Sequence, residues 1–433
     1  MSERAPSSGS VSAADTLPPY PEDIVPTQKA PTPVVVMMAL AQFAIFLALL
    51  APVTVSLALK IGTLVPKDQE ASSLGLVLSV AALVAMVANP IVGHLSDRTT
   101  SRWGRRRPWM AAGTVVLFIG LFLIAVAPSV PVVLIGWIVG QIGGNMVLAP
   151  LLATIADHVP EEQRGRISAN VGVMQNLGIL AAAYVASWFT HNMLLLFLVP
   201  AVVAMVVVLG YCFVLPDRQV RVHPEPGSWG RLLSSFWVNP LRYPDFGWAW
   251  ISRFMVILAS FLFITFRVFF LENRVGLTTD EAVHTITFGV LIYTIAIVIT
   301  SQIGGYLSDR TGRRKIFVVL AAAIFAVGTY LLVHVDSVPQ FYVVEAVIGA
   351  GYGLYWAVDM ALVVDVLPNP DDSAKDLGVM NIANSLPQSL AGAFGGLLLN
   401  INSDGTNYDM LFMVAAVVAL LGALAVIPIK AVR

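Results

Sequence analysis

Charge and cysteine are the scarce features of this sequence. Only 12% of its 433 residues are charged, against roughly 25% in an average soluble domain, so a large water-facing surface is excluded. Basic and acidic residues nearly cancel, 25 against 26, for a net charge of −1. That balance offers neither a nucleic-acid partner nor an acidic tail. One cysteine, Cys212, stands in an apolar run and excludes an intrachain disulfide. The chain shows no cluster of metal ligands, no phosphate-cradling glycine loop and no nucleophile–base pattern. It is therefore not expected to be an enzyme or to hold a resident cofactor or metal. Residues 1–32, rich in Ser, Pro and Ala, lack the short apolar core of a removable signal peptide and read as a disordered cytoplasmic tail.

Hydrophobic residues make up 57% of the chain, in runs long enough to span a bilayer at about 20 residues each. The runs fall at 33–60, 71–95, 108–128, 131–155, 168–190, 192–215, 245–271, 282–307, 315–335, 338–366, 376–399 and 408–429. They are continuously apolar rather than alternating, which excludes a membrane β-barrel. The expected fold is an all-α membrane protein of about twelve transmembrane helices.

The basic residues orient these helices. With the N-terminus inside, the inner segments hold 20 of the 25 Lys and Arg, and the outer loops hold only Lys67 and Arg274. Positive charge concentrates on the cytoplasmic side of membrane proteins, so both termini are expected there, in the plasma (inner) membrane. The densest inner cluster is GHLSDRTTSRWGRRRPW, residues 93–109.

That cluster belongs to an internal repeat. It is echoed by GGYLSDRTGRRKIF after the eighth run, with Asp97 and Asp309 212 residues apart. A second echo, IADHVPEEQRGRISANVGVMQN against VVDVLPNPDDSAKDLGVMNIAN, puts Asp157 and Asp365 208 residues apart. The chain thus divides into a six-helix bundle over 33–215, a cytoplasmic linker over 216–244 and a second six-helix bundle over 245–433. Parallel halves of this kind place a substrate site between them near mid-membrane.

The repeated motif sets an acid at a helix end and arginines one turn beyond. Its members are Gly93, Asp97, Arg98, Gly104, Arg105 and Arg106 in the first copy, and Gly305, Asp309, Arg310, Gly312, Arg313 and Arg314 in the second. Asp157 and Asp365 close the fourth and tenth runs. Carboxylates so placed accept charge-assisted bonds from arginine or from helix N-terminal amides, contacts that can make and break as a gate moves. Plain topology anchoring would account for the arginines alone.

The motif resembles the loop signature of the major facilitator superfamily. Its longer first copy, SDRTTSRWGRRRPW, is similar to the form found in sucrose–proton symporters and the glycoside–pentoside–hexuronide cation symporter group. The resemblance implies the major facilitator fold and a cavity lined by helices one, four, seven and ten. It also implies that Asp97 and Asp309 stabilise an outward-open state. The fourth helix carries Asn145, Pro150, Ala156 and Asp157 at the spacings of the sucrose symporters, but a glutamine, Gln141, where they have an acid. Glutamine cannot titrate, though it can bond a hydroxyl.

Ionisable residues inside a spanning helix are expensive and face a cavity or a partner. Helix seven carries Arg253 and Arg267, and helix ten carries Glu345 and Asp359. At 1.5 Å per residue, Arg253 and Asp359 stand about 12 Å and about 9 Å above the inner end, and Arg267 and Glu345 both lie in the outer third. Two Arg–acid pairs are expected at matching depths, bordering the pathway. Asp359 with Arg253 is the leading coupling pair, with a permanent structural ion pair as the alternative; Glu345 is the weaker candidate.

Tyr352, Tyr355 and Trp356 on helix ten supply faces for sugar rings, and the resemblance turns Gln42 and Asn145 toward the same region. Gly349, Gly351 and Gly353 suit close helix packing. Asn176, Asn381, Asn384 and Gln388 read as interhelical hydrogen-bond partners. The resulting expectation is a monomeric secondary transporter that takes up a sugar or glycoside with a proton or other cation by alternating access. Its partners would be that small molecule and the lipid bilayer. Beside it stand proton-antiport export of a drug or metabolite, a sugar uniporter, and a non-transporting membrane sensor. Export is disfavoured by the lack of a Gly-x-x-x-Gly-Pro pattern on helix five.

Overall fold

The computed structural model describes residues 30–217, 241–366, 373–401 and 406–430. Most of the expected tail and most of the expected linker lie outside these residues, and the first helix begins at Thr32, inside the expected tail. So do the side chains of Asp309, Asp365 and Asn381.

Each apolar run folds as one helix. The first six are α1 (Thr32–Gly62), α2 (Lys67–Asp97), α3 (Arg107–Val126), α4 (Val130–His158), α5 (Glu161–Trp188) and α6 (Met193–Val214). The second six are α7 (Pro244–Asn273), α8 (Thr279–Thr311), α9 (Arg314–Leu331), α10 (Val338–Asp365), α11 (Ser373–Leu399) and α12 (Tyr408–Val426). Among the described residues, 11 helices are long and apolar enough to cross a membrane. The chain is a multi-pass membrane protein.

The two halves pack by the same scheme. In the first, α3 lies on α4 and α6, α2 on α4, and α1 on α5 and α6; in the second, α9 lies on α10 and α12, α8 on α10, and α7 on α11 and α12. The halves meet along α2 with α11 and α5 with α8, which are equivalent pairs under the repeat. Small residues permit this approach. A Cβ on Gly75 of α2 would overlap the backbone carbonyl of Gly392 on α11, as expected where close-packed helices have no water-driven force between them. The glycines of α10 act likewise inside the second bundle, Gly349 against α8 and Gly351 against α9.

Local chemistry explains the irregular points. Pro52 has no N–H to continue the ladder, and α1 widens into a π-turn over Pro52–Ser56, where Thr54 Oγ1 donates to the Leu50 carbonyl at 2.8 Å. Helix α8 opens on a capping box between Thr278 and Glu281 and closes on Gly312 at φ +64°, a left-handed cap that glycine adopts without strain. Gly104, at φ +101°, makes the corresponding turn before α3.

Candidate functional site

Among the described residues, the side-chain contacts that join the bundles gather at the end opposite the arginine-rich loops. Ser79 Oγ accepts from the Ala393 amide at 2.7 Å, and Thr287 Oγ1 donates to the Ala183 carbonyl at 3.2 Å. His191 Nε2 stands 3.1 Å from Asp280 Oδ2 across the same seam. This end is closed.

At the arginine-rich end the loop motif is tied down within its own bundle. Arg105 Nη2 is 2.5 Å from Asp157 Oδ1; Arg106 reaches Asp157 Oδ2 through Nε at 2.9 Å and Asp97 Oδ1 through Nη1 at 2.5 Å. Both arginines are buried. Burial works against the Arg106 charge, but Asp157 and Asp97 outweigh it and hold the guanidinium above its ordinary pKa. Asp217, just past α6, accepts from the Arg106 and Arg107 amides at 2.7 and 2.9 Å and so satisfies the first free amides of α3. Arg98 caps the end of α2. In the second copy Arg313 is the N-cap of α9, Arg314 begins that helix, and Arg310 Nη1 donates to Tyr306 at 3.3 Å. Gly93 has open space around it, and Gly305 nearly so.

Between the bundles lies a cavity of about 530 Å³, a size suited to a small molecule. Helices α2 and α4 give it Asn89, Gln141 and Asn145, and α11 gives Asn384, Ser385 and Gln388. Asn89 Nδ2 donates to Asn145 Oδ1 at 2.9 Å, and Asn145 Nδ2 donates to the Gln141 carbonyl at 2.9 Å, which fixes how both amides face the space. The opposite wall is aromatic: Tyr293 stacks on Tyr352 at 6.1 Å, and Tyr352 on Trp356 at 6.2 Å. Among the described residues the cavity has one charged lining side chain, Arg267.

Both expected Arg–acid pairs form, but only one meets the cavity. Arg253 donates to Asp359 Oδ2 through Nη2 and, at 2.8 Å, through Nε, while the Tyr355 hydroxyl donates to Asp359 Oδ1 at 2.7 Å. All three residues are buried and none lines the cavity. The expected border position of Arg253 and Asp359 is thus corrected, as is the expected ligand-facing placement of Tyr355, whose ring packs into the core of the second bundle. Arg267 Nη1 donates to Glu345 Oε1 at 3.0 Å, and its guanidinium lies 4.6 Å from the Phe263 ring centre and 5.9 Å from that of Tyr293. Arg267 lines the cavity; Glu345, fully buried, sits behind it.

Of the residues expected near the ligand, Asn145, Gln141, Tyr352 and Trp356 line the cavity and Gln42 does not. Gln42 is 2% exposed, and its side-chain oxygen has no partner among the described residues. Asn176, Asn384 and Gln388, expected to bridge helices, line the cavity, and Asn176 donates to Gly172 of its own helix at 3.0 Å. Asn89 and Tyr293 carry no sequence signal beyond being polar residues at mid-membrane depth, the one signal that could have found them.

The twelve helices among the described residues, in two related bundles around a central cavity, define a membrane transporter rather than an enzyme. The chain belongs to the Major Facilitator Superfamily, whose model matches residues 32–290 and 279–432. An uncharacterised transporter of this type from Mycobacterium tuberculosis is 25% identical over 380 residues, 82% of this chain and 84% of that protein. A sucrose transport protein of Arabidopsis thaliana is 31% identical over 104 residues, 20% of each chain. A class G tetracycline resistance protein of Vibrio anguillarum is 31% identical over 148 residues, 34% of this chain and 35% of that one. Among solved structures, a bacterial homologue of the human lysosomal transporter Spinster, inward-facing and unoccupied, matches with a TM-score of 0.72 at 14% identity, covering 92% of this chain and 98% of that one. A D-xylose–proton symporter matches with a TM-score of 0.69 at 16% identity, covering 92% and 97%.

Proposed function

We propose that this protein takes up a sugar or other hydroxyl-rich small molecule together with a proton, by alternating access, across the plasma membrane with both termini cytoplasmic. One observation carries the reading: the central cavity sets neutral amides, Asn89, Gln141 and Asn145, opposite the stacked rings of Tyr293, Tyr352 and Trp356. Amides donate to and accept from hydroxyls, and aromatic faces cover the apolar faces of sugar rings. The likeness to a sucrose transport protein and to a D-xylose–proton symporter supports the same class. The closed seam opposite the arginine loops corresponds to a conformation that exchanges its cargo on the cytoplasmic side. In that conformation Asp97 and Asp157 hold arginines of their own bundle. The sealed Arg253–Asp359 pair serves as a strut of the second bundle.

Export by proton antiport is the second reading, favoured by the match to a tetracycline resistance protein. Proteoliposomes with an internal pH dye separate the two. Acidification on adding a sugar from outside supports symport. Alkalinisation on adding a drug-like amine would replace uptake by antiport. Movement of labelled sugar without a pH change would make the protein a uniporter.

A further inference from the structure

The Arg267–Glu345 pair is only half satisfied. A guanidinium has five N–H donors, and Arg267 spends one on Glu345. Its other N–H groups have no hydrogen-bond acceptor among the described residues, although the residue is only 4% exposed and lines the cavity. Its plane is fixed by the rings of Phe263, itself buried, and Tyr293. Behind it, Glu345 is 0% exposed and its Oε2 has no hydrogen-bond partner among the described residues. A carboxylate hidden with a bare oxygen is costly, whereas a protonated carboxyl hides at far less cost. The titratable groups facing Glu345 are Arg267 from α7 and Tyr293 from α8; α9 adds no charged group there among the described residues.

We propose that Arg267 seats a carboxylate of the substrate and that Glu345 carries a proton whenever that seat is filled. This rests on the reading of the cavity as a site for a hydroxyl-rich molecule and narrows it to a hydroxylated acid. The charge count supplies the reason. With Glu345 ionised, the pair is neutral and an incoming anion would add an unbalanced buried charge, which is strongly unfavourable. With Glu345 protonated, Arg267 alone is positive, and its planar fork matches a carboxylate at two points. Anion and proton therefore bind as one neutral unit, each strengthening the other by the same factor, and a monoanion crosses without net charge. The amides of α2 and α4 are left for the hydroxyls.

The test uses the full chain in lipid nanodiscs with two probes alike except for charge, gluconate and glucose, followed by calorimetry and by the infrared band of protonated carboxyl groups. Wild type is expected to show such a band without ligand, removed by Glu345→Gln, and to increase it with gluconate. Gluconate affinity should fall as the pH rises, by up to about tenfold per pH unit over the range where Glu345 is ionised without ligand and protonated with it. Glu345→Gln should bind gluconate with no pH dependence, and Arg267→Gln should lose it. Because Arg267→Gln alone strands a buried acid, Arg267→Gln/Glu345→Gln serves as the folded control and should also bind no gluconate. Glucose binding as well as gluconate, equally in wild type and the double variant, would overturn the carboxylate seat and leave the sugar reading standing. Absence of the Glu345 band would overturn the proton's place. Binding of neither probe would overturn both the seat and the reading of a hydroxyl-rich cargo.

Discussion

Arg106 Nε stands 2.9 Å from Asp157 Oδ2, joining the loop before α3 to the end of α4. The same guanidinium reaches Asp97 on α2, so one side chain locks three helix ends. Removing one partner of a buried ion pair costs about 3–5 kcal/mol. Asp157→Ala should therefore lower the thermal unfolding midpoint of the detergent-solubilised protein sharply. Arg106→Lys, which keeps the charge and loses the fork, should fall between that variant and wild type.

The Arg253–Asp359 pair offers a different outcome. Either single change, Arg253→Met or Asp359→Leu, should destabilise by about 3–5 kcal/mol, whereas the two together should come close to wild type, because a buried pair is often replaceable by apolar groups of similar volume. Thermal unfolding of the four proteins measures it. A double variant no better than the singles would show that the pair does more than brace the second bundle.

Closure opposite the arginine loops depends on the meeting of Gly75 and Gly392. Gly75→Val should hold that end open and abolish transport while the bundles stay folded. Since Cys212 is the one native cysteine and is buried, cysteines introduced on α2 and α11 near this seam can carry spin labels. Their separation should increase in Gly75→Val relative to the parent.

Within the cavity, Asn145 orients Asn89 by the 2.9 Å bond between their side chains. Asn145→Leu leaves Asn89 without that acceptor and should weaken ligand binding about tenfold or more, in line with roughly 1–3 kcal/mol for an orphaned buried polar group. Trp356→Ala removes a stacking face and should raise the transport KM with a smaller effect on the maximal rate. Uptake kinetics in proteoliposomes distinguish the two variants.

Much of this architecture is legible in the sequence because the bilayer leaves few choices. A run of about 20 apolar residues must satisfy its backbone internally and becomes a helix. The depth of a charge along that helix follows from residue count alone. The pairing of Arg253 with Asp359 and of Arg267 with Glu345 was therefore readable from rise per residue, and the repeat that relates Asp97 to Asp309 from its echoed motif.

Rotation about each helix axis was not readable. A soluble helix advertises its buried face by contrast with a polar one, but a spanning helix is apolar toward lipid and toward its neighbours alike. Nothing in the order of residues said that Arg267 turns to the cavity while Arg253, fourteen positions earlier, turns into the core beside Tyr355. Nor did it say that Gln42 is sealed away while Asn89 is presented. Sequence alone determined the helices, their two-fold arrangement and the depth of every charge. Only the packing of α2 on α11, where small residues let backbones meet, and of α5 on α8 decided which polar groups share the central space.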